Sequence, residues 1–340
     1  MPCPCERLSD HRYTRPVHSI SVVVPVYRGE LTLASTLPEI LALASESRTA
    51  GGALFRVTEV ILVHDCGPDD SETVIRSLAE ESPIVRAVWL SKNFGQHAAT
   101  LAGMAQSTGD WVVTLDEDGQ YDPADISAML DVALSTRSDV VYGRALNPAP
   151  HGVLRNSASN LAKSLAVGLT GSKNAATFSS YRLMLGTVAR TVATYVGPGV
   201  YLDVALGWVA GRYATSGITL RGEQRKSGYS YRSLASHFWR LVISSGTRLL
   251  RIVSAVGIVL AFLGLLAAIW IVVMKLVFGI DSEGWASLAV ILLVGFGSVL
   301  LTLGIIAEYL GANVNMAMGK PPFVISDDPA TGPLGVKKQS

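Results

Sequence analysis

Two long uncharged runs toward the end of the sequence constrain the fold of this chain more than any other feature. They extend from Ile252 to Met274 and from Trp285 to Ala307. Each run has about 23 residues and would be roughly 34 Å long as an α-helix, enough to cross a hydrocarbon core of roughly 30 Å. A buried helical hairpin is the alternative, but a soluble core rarely holds two such runs in succession. The runs therefore predict two transmembrane helices within residues 252–310.

The charges around these runs predict how the chain is oriented in the membrane. The short linker between them is acidic, with Asp281 and Glu283. Positive side chains flank the outer ends of the two runs, at Arg240, Arg248, Arg251, Lys320, Lys337 and Lys338. By the positive-inside rule, we expect a multi-pass protein of the inner (plasma) membrane, with the large N-terminal domain and the C-terminal tail at residues 311–340 in the cytoplasm. No apolar segment before His18 resembles a signal peptide, so the N-terminus is also expected in the cytoplasm.

The remainder of the chain has the composition of a soluble domain. Hydrophobic residues make up 49% of the sequence and charged residues 16%, but the apolar excess lies after about Arg251. A net charge of +1 argues against a general polyanion binder, so we expect no nucleic-acid partner. We divide this part into a polar tail at residues 1–17, a domain at residues 18–232 and a juxtamembrane segment at residues 233–251. The juxtamembrane segment mixes apolar and basic residues, as an amphipathic helix on a lipid bilayer does.

Strand and helix patterns alternate through the N-terminal domain. Apolar, β-branched runs predict strands at residues 19–26, 57–63, 85–90, 111–115 and 140–142. Helical spacing predicts helices at residues 31–45, 71–80, 97–105 and 123–134. This alternation is typical of the α/β class, with a mostly parallel sheet covered by helices on both faces. Because such sheets bind ligands beyond the C-terminal ends of their strands, we expect a site in the loops after the first four strands.

An acidic loop (residues 116–120) follows the fourth predicted strand. It contains Asp116, Glu117, Asp118 and Gln120. Acidic loops are commonly turns and helix N-caps. Three adjacent carboxylates, however, raise one another's pKa values unless a cation neutralises them. Asp116, Asp118 and Gln120 offer hard oxygen ligands at alternate positions, so the loop predicts a site for Mg²⁺ or Mn²⁺ beside a diphosphate.

Several stretches of the sequence resemble a known enzyme family. SVVVPVY in the first predicted strand and VTLDEDGQYDP around the acidic loop resemble family 2 glycosyltransferases, which have the nucleotide-diphosphosugar (GT-A, Rossmann-like) fold. The resemblance is greatest to polyprenyl-phosphate glycosyltransferases, a group that includes dolichyl-phosphate mannosyltransferases, bactoprenol glucosyltransferases and undecaprenyl-phosphate aminoarabinose transferases. LSKNFGQHAATLAGMAQSTGDWVVTLDEDGQ is most similar to the last of these, and GIIAEYLG resembles the membrane-anchored members. The resemblance extends from Ser19 to Val324.

This resemblance implies roles for individual residues. It places the nucleoside of a nucleotide-sugar donor against Pro25, Tyr27, Glu30 and Asp65. It also implies that Asp116, Asp118 and Gln120 bind the metal. The sequence departs from the family pattern at His64, which stands where an aspartate is usual, at Glu117, which replaces a small residue, and at Gly228, which replaces a frequent lysine.

Phosphate contacts are implied by the same resemblance. Arginines that grip the donor diphosphate and the acceptor phosphate are implied at Arg144, Arg155 and Arg182. A guanidinium fork matches phosphate oxygens better than a point charge does. Ser227 lies in SGYS, where the family has Ser-Lys-Tyr, and is implied at the donor site. Arg155 and Arg182 join Asp116 and Asp118 as the implied catalytic residues.

The implied reaction is an inverting transfer of a sugar from a nucleotide-sugar, expected to be a UDP-sugar, to undecaprenyl or decaprenyl phosphate. Its product would be a lipid-linked sugar donor for cell-envelope glycan modification, and related membrane-anchored enzymes imply a homo-tetramer. A phosphate monoester is already ionised near neutral pH, so it needs alignment more than a general base. His97 is accordingly expected to be structural or a substrate contact.

Two other functions compete with this one. A processive polysaccharide synthase would need more membrane spans and a QxxRW-like motif, and neither is found in this sequence. A degenerate, membrane-anchored nucleotide-sugar binding protein is suggested by the departures at His64 and Gly228. The acidic residues Asp116 and Asp118 favour an enzyme over such a binding protein.

Overall fold

One sheet organises the N-terminal domain. The computed structural model describes residues 17–147, 178–197, 199–221, 248–278 and 284–333. The strands of these residues are β1 (His18–Val26), β2 (Ser47–Arg48), β3 (Leu54–His64), β4 (Val85–Leu90), β5 (Trp111–Thr114), β6 (Val140–Ala145), β7 (Arg182–Leu185), β8 (Tyr213–Ile218) and β9 (Ile325–Ser326). They form a 9-stranded sheet in the order β8-β6-β7-β5-β1-β3-β4-β9, with β2 paired to β3.

The centre of the sheet is parallel, as the alternating pattern predicts. β1 pairs in parallel with β3 on one side and β5 on the other, and β3 pairs in parallel with β4. β1 is buried along nearly its whole length because both faces of the sheet are covered. The predicted strand at residues 85–90 coincides with β4, and the other predicted strands differ from the observed ones by a few residues. The α/β class and the mostly parallel sheet are therefore confirmed.

Helices cover both faces of this sheet. The described residues of the domain contain six α-helices: α1 (Leu33–Leu41), α2 (Ser71–Glu81), α3 (Gln96–Gln106), α4 (Asp125–Thr136), α5 (Gly186–Tyr195) and α6 (Leu202–Val209). Side chains of α1, α2 and α4 join one buried apolar cluster, and those of α3, α5 and α6 join another. The predicted helix at residues 31–45 is shorter in the structure, since it ends in a 3₁₀ turn at Ala42–Ala44.

Strand β7 runs antiparallel between β5 and β6, and this was not predicted. Thr114 at the end of β5 lies opposite Arg182 at the start of β7. The residues that precede β7 therefore lie at the same edge of the sheet as the loop that follows β5. Through this reversal, Ser180 and Arg182 reach the acidic loop although they are more than sixty positions away in sequence.

After the domain, the described part of the chain contains two long helices. They are α7 (Arg248–Phe278) and α8 (Trp285–Ala317). Among the described residues, the stretch Val294–Ala317 of α8 is long and apolar enough to cross a membrane, and it overlaps the second predicted span. In α7 the apolar stretch is shorter, at Val253–Leu266, so a first transmembrane helix stays a prediction.

After α8 the chain returns to the N-terminal domain through residues 321–331, which we call the return segment. Within it, β9 adds to the edge of the sheet by pairing antiparallel with β4. The Ser91 amide donates to the Val324 carbonyl at 3.0 Å. Arg76 Nε donates to both carboxylate oxygens of Asp328, at 3.0 and 3.1 Å. The end of α8 is thereby fastened to the domain.

Candidate active site

The loops that follow β1, β3 and β5 meet at one edge of the sheet. Residues 27–30 form the β1 loop, and residues 65–70 form the β3 loop. Gly67 approaches the β1 loop so closely that a Cβ atom there would be 1.6 Å from the Tyr27 carbonyl oxygen. Only glycine fits such an approach. The polar residues predicted to share a site are therefore held close together by the backbone itself.

Asp116 follows β5 and is held by two neutral side chains. Gln96 Nε2 donates to Asp116 Oδ1 at 2.5 Å, and the Ser180 hydroxyl donates to Oδ2 at 2.6 Å. The Tyr121 hydroxyl lies 3.0 Å from Ser180 Oγ and extends this network. Burial raises the pKa of Asp116 to about 6, against the hydrogen bond from Ser180, and the charge of Asp118 adds to the rise. A cation beside this carboxylate would relieve both effects.

Asp118 and Gln120 lie on the same loop as Asp116. The backbone amide of Gln120 donates to Asp118 Oδ1 at 3.1 Å, which forms a tight turn within the loop. Within the ranges that the structure describes, no three or more His, Cys, Asp or Glu side chains are grouped as a metal cage. Two carboxylates and one amide oxygen nevertheless suit Mg²⁺ or Mn²⁺, since such ions commonly complete their ligands with water and substrate phosphates. The donor set therefore fits an ion shared with a diphosphate.

Glu117 joins the acidic loop to the β1 loop. Its Oε2 accepts the Tyr27 amide at 2.8 Å and the Arg28 amide at 3.1 Å, while Oε1 accepts the Arg28 amide at 2.9 Å. Burial raises the pKa of Glu117 to about 7, although these amides oppose the rise. The Glu117 carboxylate therefore forms a contact between two loops instead of serving as a metal ligand. Its position in sequence between Asp116 and Asp118 does not predict this contact.

The residues predicted to hold a nucleoside all lie on the first two loops or directly before them. Pro25 is buried in β1, whereas Tyr27 and Glu30 are exposed in the β1 loop. Asp65 is buried, and its two oxygens accept the Phe94 and Gly95 amides at 2.7 and 2.9 Å. Burial raises the pKa of Asp65, with both amides opposing. Asp65 thus fixes the start of α3, from which Gln96 reaches Asp116.

Arg182 is buried near Asp116 and forms an ion pair with Asp203. Its Nη1 lies 2.7 Å from Asp203 Oδ1. Even so, Nη1 and Nε make no hydrogen bond of good geometry within the described part of the chain. The charge of Arg182 lowers the pKa of Asp116, against the larger effect of burial.

Of the other predicted phosphate contacts, only Arg144 lies among the residues that the structure describes. Arg144 is exposed in β6. Arg155 and Ser227 lie outside the described residues, as do residues 1–16 and most of the juxtamembrane segment. The roles of Arg144, Arg155, Arg182 and Ser227 stay predictions.

Sequence reasoning missed Gln96, Ser180 and Asp203. Gln96 lies in the stretch that resembles aminoarabinose transferases, but an amide or hydroxyl has no charge to distinguish it from an ordinary surface residue. Asp203 lies in an apolar stretch, YLDVAL, and an acidic residue within such a stretch could have indicated a buried partner. His97, which is expected to be structural or a substrate contact, has its ring centroid 4.3 Å from that of Tyr201.

Comparisons with known proteins identify the family. Glycosyl transferase family 2 matches residues 21–186. Undecaprenyl-phosphate 4-deoxy-4-formamido-L-arabinose transferase of Pseudomonas fluorescens (strain Pf-5) is 31% identical over 319 residues, which cover 91% of this chain and 90% of that enzyme. The chain belongs to glycosyl transferase family 2. This family 2 glycosyltransferase is also 30% identical to the enzyme of the same name from Klebsiella pneumoniae (strain 342), over 91% of this chain and 93% of that enzyme.

Among solved structures, glucosyl-3-phosphoglycerate synthase from Mycobacterium tuberculosis resembles this glycosyltransferase with a TM-score of 0.48 and 19% identity, over 68% of this chain and 80% of that one. The sheet order and the helices on both faces give this family 2 member a GT-A-like α/β domain.

Proposed function

We propose that this glycosyltransferase transfers a sugar from a nucleotide-sugar, expected to be a UDP-sugar, to undecaprenyl or another polyprenyl phosphate. The observation that carries the proposal is the match over about nine-tenths of both chains to relatives named for undecaprenyl phosphate. The site agrees with this chemistry, because two carboxylates at the end of β5 lie beside the loop expected to hold the nucleoside. The product would be a lipid-linked sugar for modifying cell-envelope glycans.

The reaction we propose is a single displacement. The bond between the anomeric carbon and the donor diphosphate breaks while a bond to an acceptor phosphate oxygen forms, so the anomeric configuration inverts. The acceptor phosphate is already ionised near neutral pH, and no side chain has to remove a proton from it. Mg²⁺ or Mn²⁺, held by Asp116, Asp118 and Gln120, would neutralise the charge that develops on the departing nucleoside diphosphate.

The residues of the chain then have to orient two anionic substrates. Gln96 and Ser180 fix the two oxygens of Asp116, so this carboxylate is held in one orientation before substrates arrive. Arg182 supplies a buried positive charge near Asp116, and we propose that Arg144, Arg155 and Ser227 supply further phosphate contacts. An acceptor whose tail stays in the bilayer requires the site to face the membrane surface.

The proposed topology places the domain and both termini on the cytoplasmic side of the inner membrane. The pairing of β9 with β4 supports this, because it requires the chain after α8 to be on the same side as the domain. An even number of crossings satisfies that requirement, as two spans in α7 and α8 would. We further propose a homo-tetramer, which mass photometry of the detergent-purified protein would test.

A donor panel tests the proposed function. Purified full-length protein would be incubated with Mn²⁺ or Mg²⁺, undecaprenyl phosphate and separate UDP- and GDP-sugars, including UDP-4-deoxy-4-formamido-L-arabinose, with mass spectrometry of the lipids. We expect one donor to give a metal-dependent sugar-phosphate lipid. Nucleotide binding without product from any donor would contradict the proposal and favour a degenerate binding protein.

A further inference from the structure

Four consecutive backbone amides of the β1 loop are held by side chains from the acidic loop, the β3 loop and the first residue of α2. Glu117 accepts the amides of Tyr27 and Arg28. The Ser71 hydroxyl accepts the Gly29 amide at 2.8 Å, and Asp69 Oδ2 accepts the Glu30 amide at 3.2 Å. Two amides are therefore fixed by the acidic loop and two by the region around the start of α2.

We propose that Glu117 is a positioning residue that sets the distance between the nucleoside site and the diphosphate site of the donor. This inference rests on the proposed function, in which the β1 loop holds the nucleoside and Asp116 and Asp118 face the diphosphate. Glu117 lies between those two carboxylates in sequence, and its own carboxylate reaches the backbone of Tyr27. The two halves of the donor site are thereby joined through one side chain.

The covalent structure of a nucleotide explains why the contact between Glu117 and the β1 loop would affect donor binding. A nucleoside diphosphate places its base and its phosphates at a limited range of separations, so both halves of the site gain full contact only if they are correctly spaced. Loss of that spacing should weaken binding of the whole nucleotide in the ground state and the transition state alike. An effect of that kind raises KM and leaves kcat nearly unchanged.

Glutamate suits this position better than its closest replacements. A glutamine keeps one acceptor oxygen, but its NH₂ group would face an amide that needs an acceptor. An aspartate keeps the charge beside Asp116 and Asp118 but is one methylene shorter, so it cannot reach both amides. The pair of substitutions therefore separates the effect of the hydrogen bonds from that of the charge.

The test measures loop order and nucleotide affinity in the same full-length proteins. Glu117→Gln, Glu117→Asp and Glu117→Ala would be compared with Glu46→Gln, a control that removes an exposed carboxylate far along the chain from the site. Hydrogen exchange would measure the exchange rates of the Tyr27 and Arg28 backbone amides. Calorimetry with Mn²⁺ would give the Kd for UDP and, in parallel, for GDP. The donor found in the panel would give KM and kcat.

We expect all three Glu117 variants to exchange faster at Tyr27 and Arg28 and to bind the preferred nucleotide about 10-fold or more weakly, with kcat within about threefold of the parent. Glu46→Gln should match the parent. Faster exchange with an unchanged Kd would overturn this proposal and leave the proposed function intact. Wild-type affinity in Glu117→Asp alone would overturn it too, since charge would then suffice. Failure of the parent to bind UDP or GDP would overturn both proposals together.

Discussion

Arg182 Nη1 lies 2.7 Å from Asp203 Oδ1, and both side chains are almost completely buried. The Tyr142 hydroxyl donates to the same Asp203 oxygen at 3.0 Å. Burial raises the pKa of Asp203, although the guanidinium beside it opposes the rise. A positive charge is therefore kept near Asp116 by a partner on α6, far along the chain.

The first prediction concerns this ion pair. Asp203→Asn leaves the buried guanidinium without a counter-charge, so we expect the apparent free energy of unfolding in detergent to fall by about 3–5 kcal/mol. Glu39→Gln is the matched control, because it breaks an exposed ion pair with Arg221 of the same 2.7 Å length. That control should cost at most about 1 kcal/mol. Equal losses in the two variants, measured by denaturant titration, would contradict the assigned role of Asp203.

The second prediction concerns the hydroxyl that fixes Asp116. Ser180→Ala removes the 2.6 Å hydrogen bond to Asp116 Oδ2 and leaves every carboxylate in place. Because we propose that Asp116 binds the metal, we expect turnover to fall by about 10- to 100-fold, the usual loss when a metal ligand loses its hydrogen-bond partner. Ser77→Ala, an exposed serine that donates to Glu81 on α2, should turn over like the parent. Parent-like activity in Ser180→Ala would show that Asp116 needs no such support.

The third prediction concerns His64 and pH. Burial lowers the pKa of His64, with Asp69 opposing and Arg76 reinforcing the shift, and Nε2 has no hydrogen-bond partner among the residues described. The histidine in the unfolded state therefore binds a proton more readily than in the folded state. As pH falls below its unfolded pKa of about 6.5, His64 lowers the free energy of unfolding. His64→Leu should change stability at pH 8 by no more than about 1.5 kcal/mol and lose less stability on acidification. Denaturant titrations of both proteins at pH 8 and 5.5 check this, and identical losses would contradict it.

The fourth prediction concerns the return segment. Asp328→Asn removes the charge that Arg76 binds, so we expect the Ser91 amide to exchange several-fold faster as β9 loosens from β4. The stability cost should be about 1 kcal/mol, as for other partly exposed pairs. Asp327→Asn alters the exposed neighbouring carboxylate and should leave exchange at Ser91 unchanged. Hydrogen-exchange mass spectrometry of the two variants and the parent checks this. Equal exchange at Ser91 in all three proteins would contradict a role for Asp328 in holding the return segment.

The central strands of the fold were predictable because each is a short, apolar, β-branched run bounded by polar residues. β4 was predicted with its observed bounds, and β1, β3 and β5 within a few residues. β7 was not, because RLML is too short to show a period and because its antiparallel insertion breaks the alternation of strands and helices. β9 lies beyond α8, and two residues show no sequence pattern at all.

The same contrast holds for the site. Asp116 was predictable because a carboxylate directly after a buried strand of a parallel sheet has few ordinary explanations. Ser180 was not, since its contact with Asp116 depends on the register of β7 against β5. Glu117 was visible as a departure from the family pattern, but its hydrogen bonds to Tyr27 and Arg28 span about ninety positions and come only from the folded chain.

Measuring which acceptor receives the sugar tests most directly the central claim, which is transfer to a polyprenyl phosphate. Full-length protein, with Mn²⁺ and the donor found in the panel, would be offered undecaprenyl phosphate, undecaprenol and a soluble oligosaccharide in one mixture, and the products would be weighed by mass spectrometry. We predict a single added sugar on undecaprenyl phosphate alone, and no such product from Asp116→Asn. Sugar added to the oligosaccharide, or repeated addition on any acceptor, would contradict it.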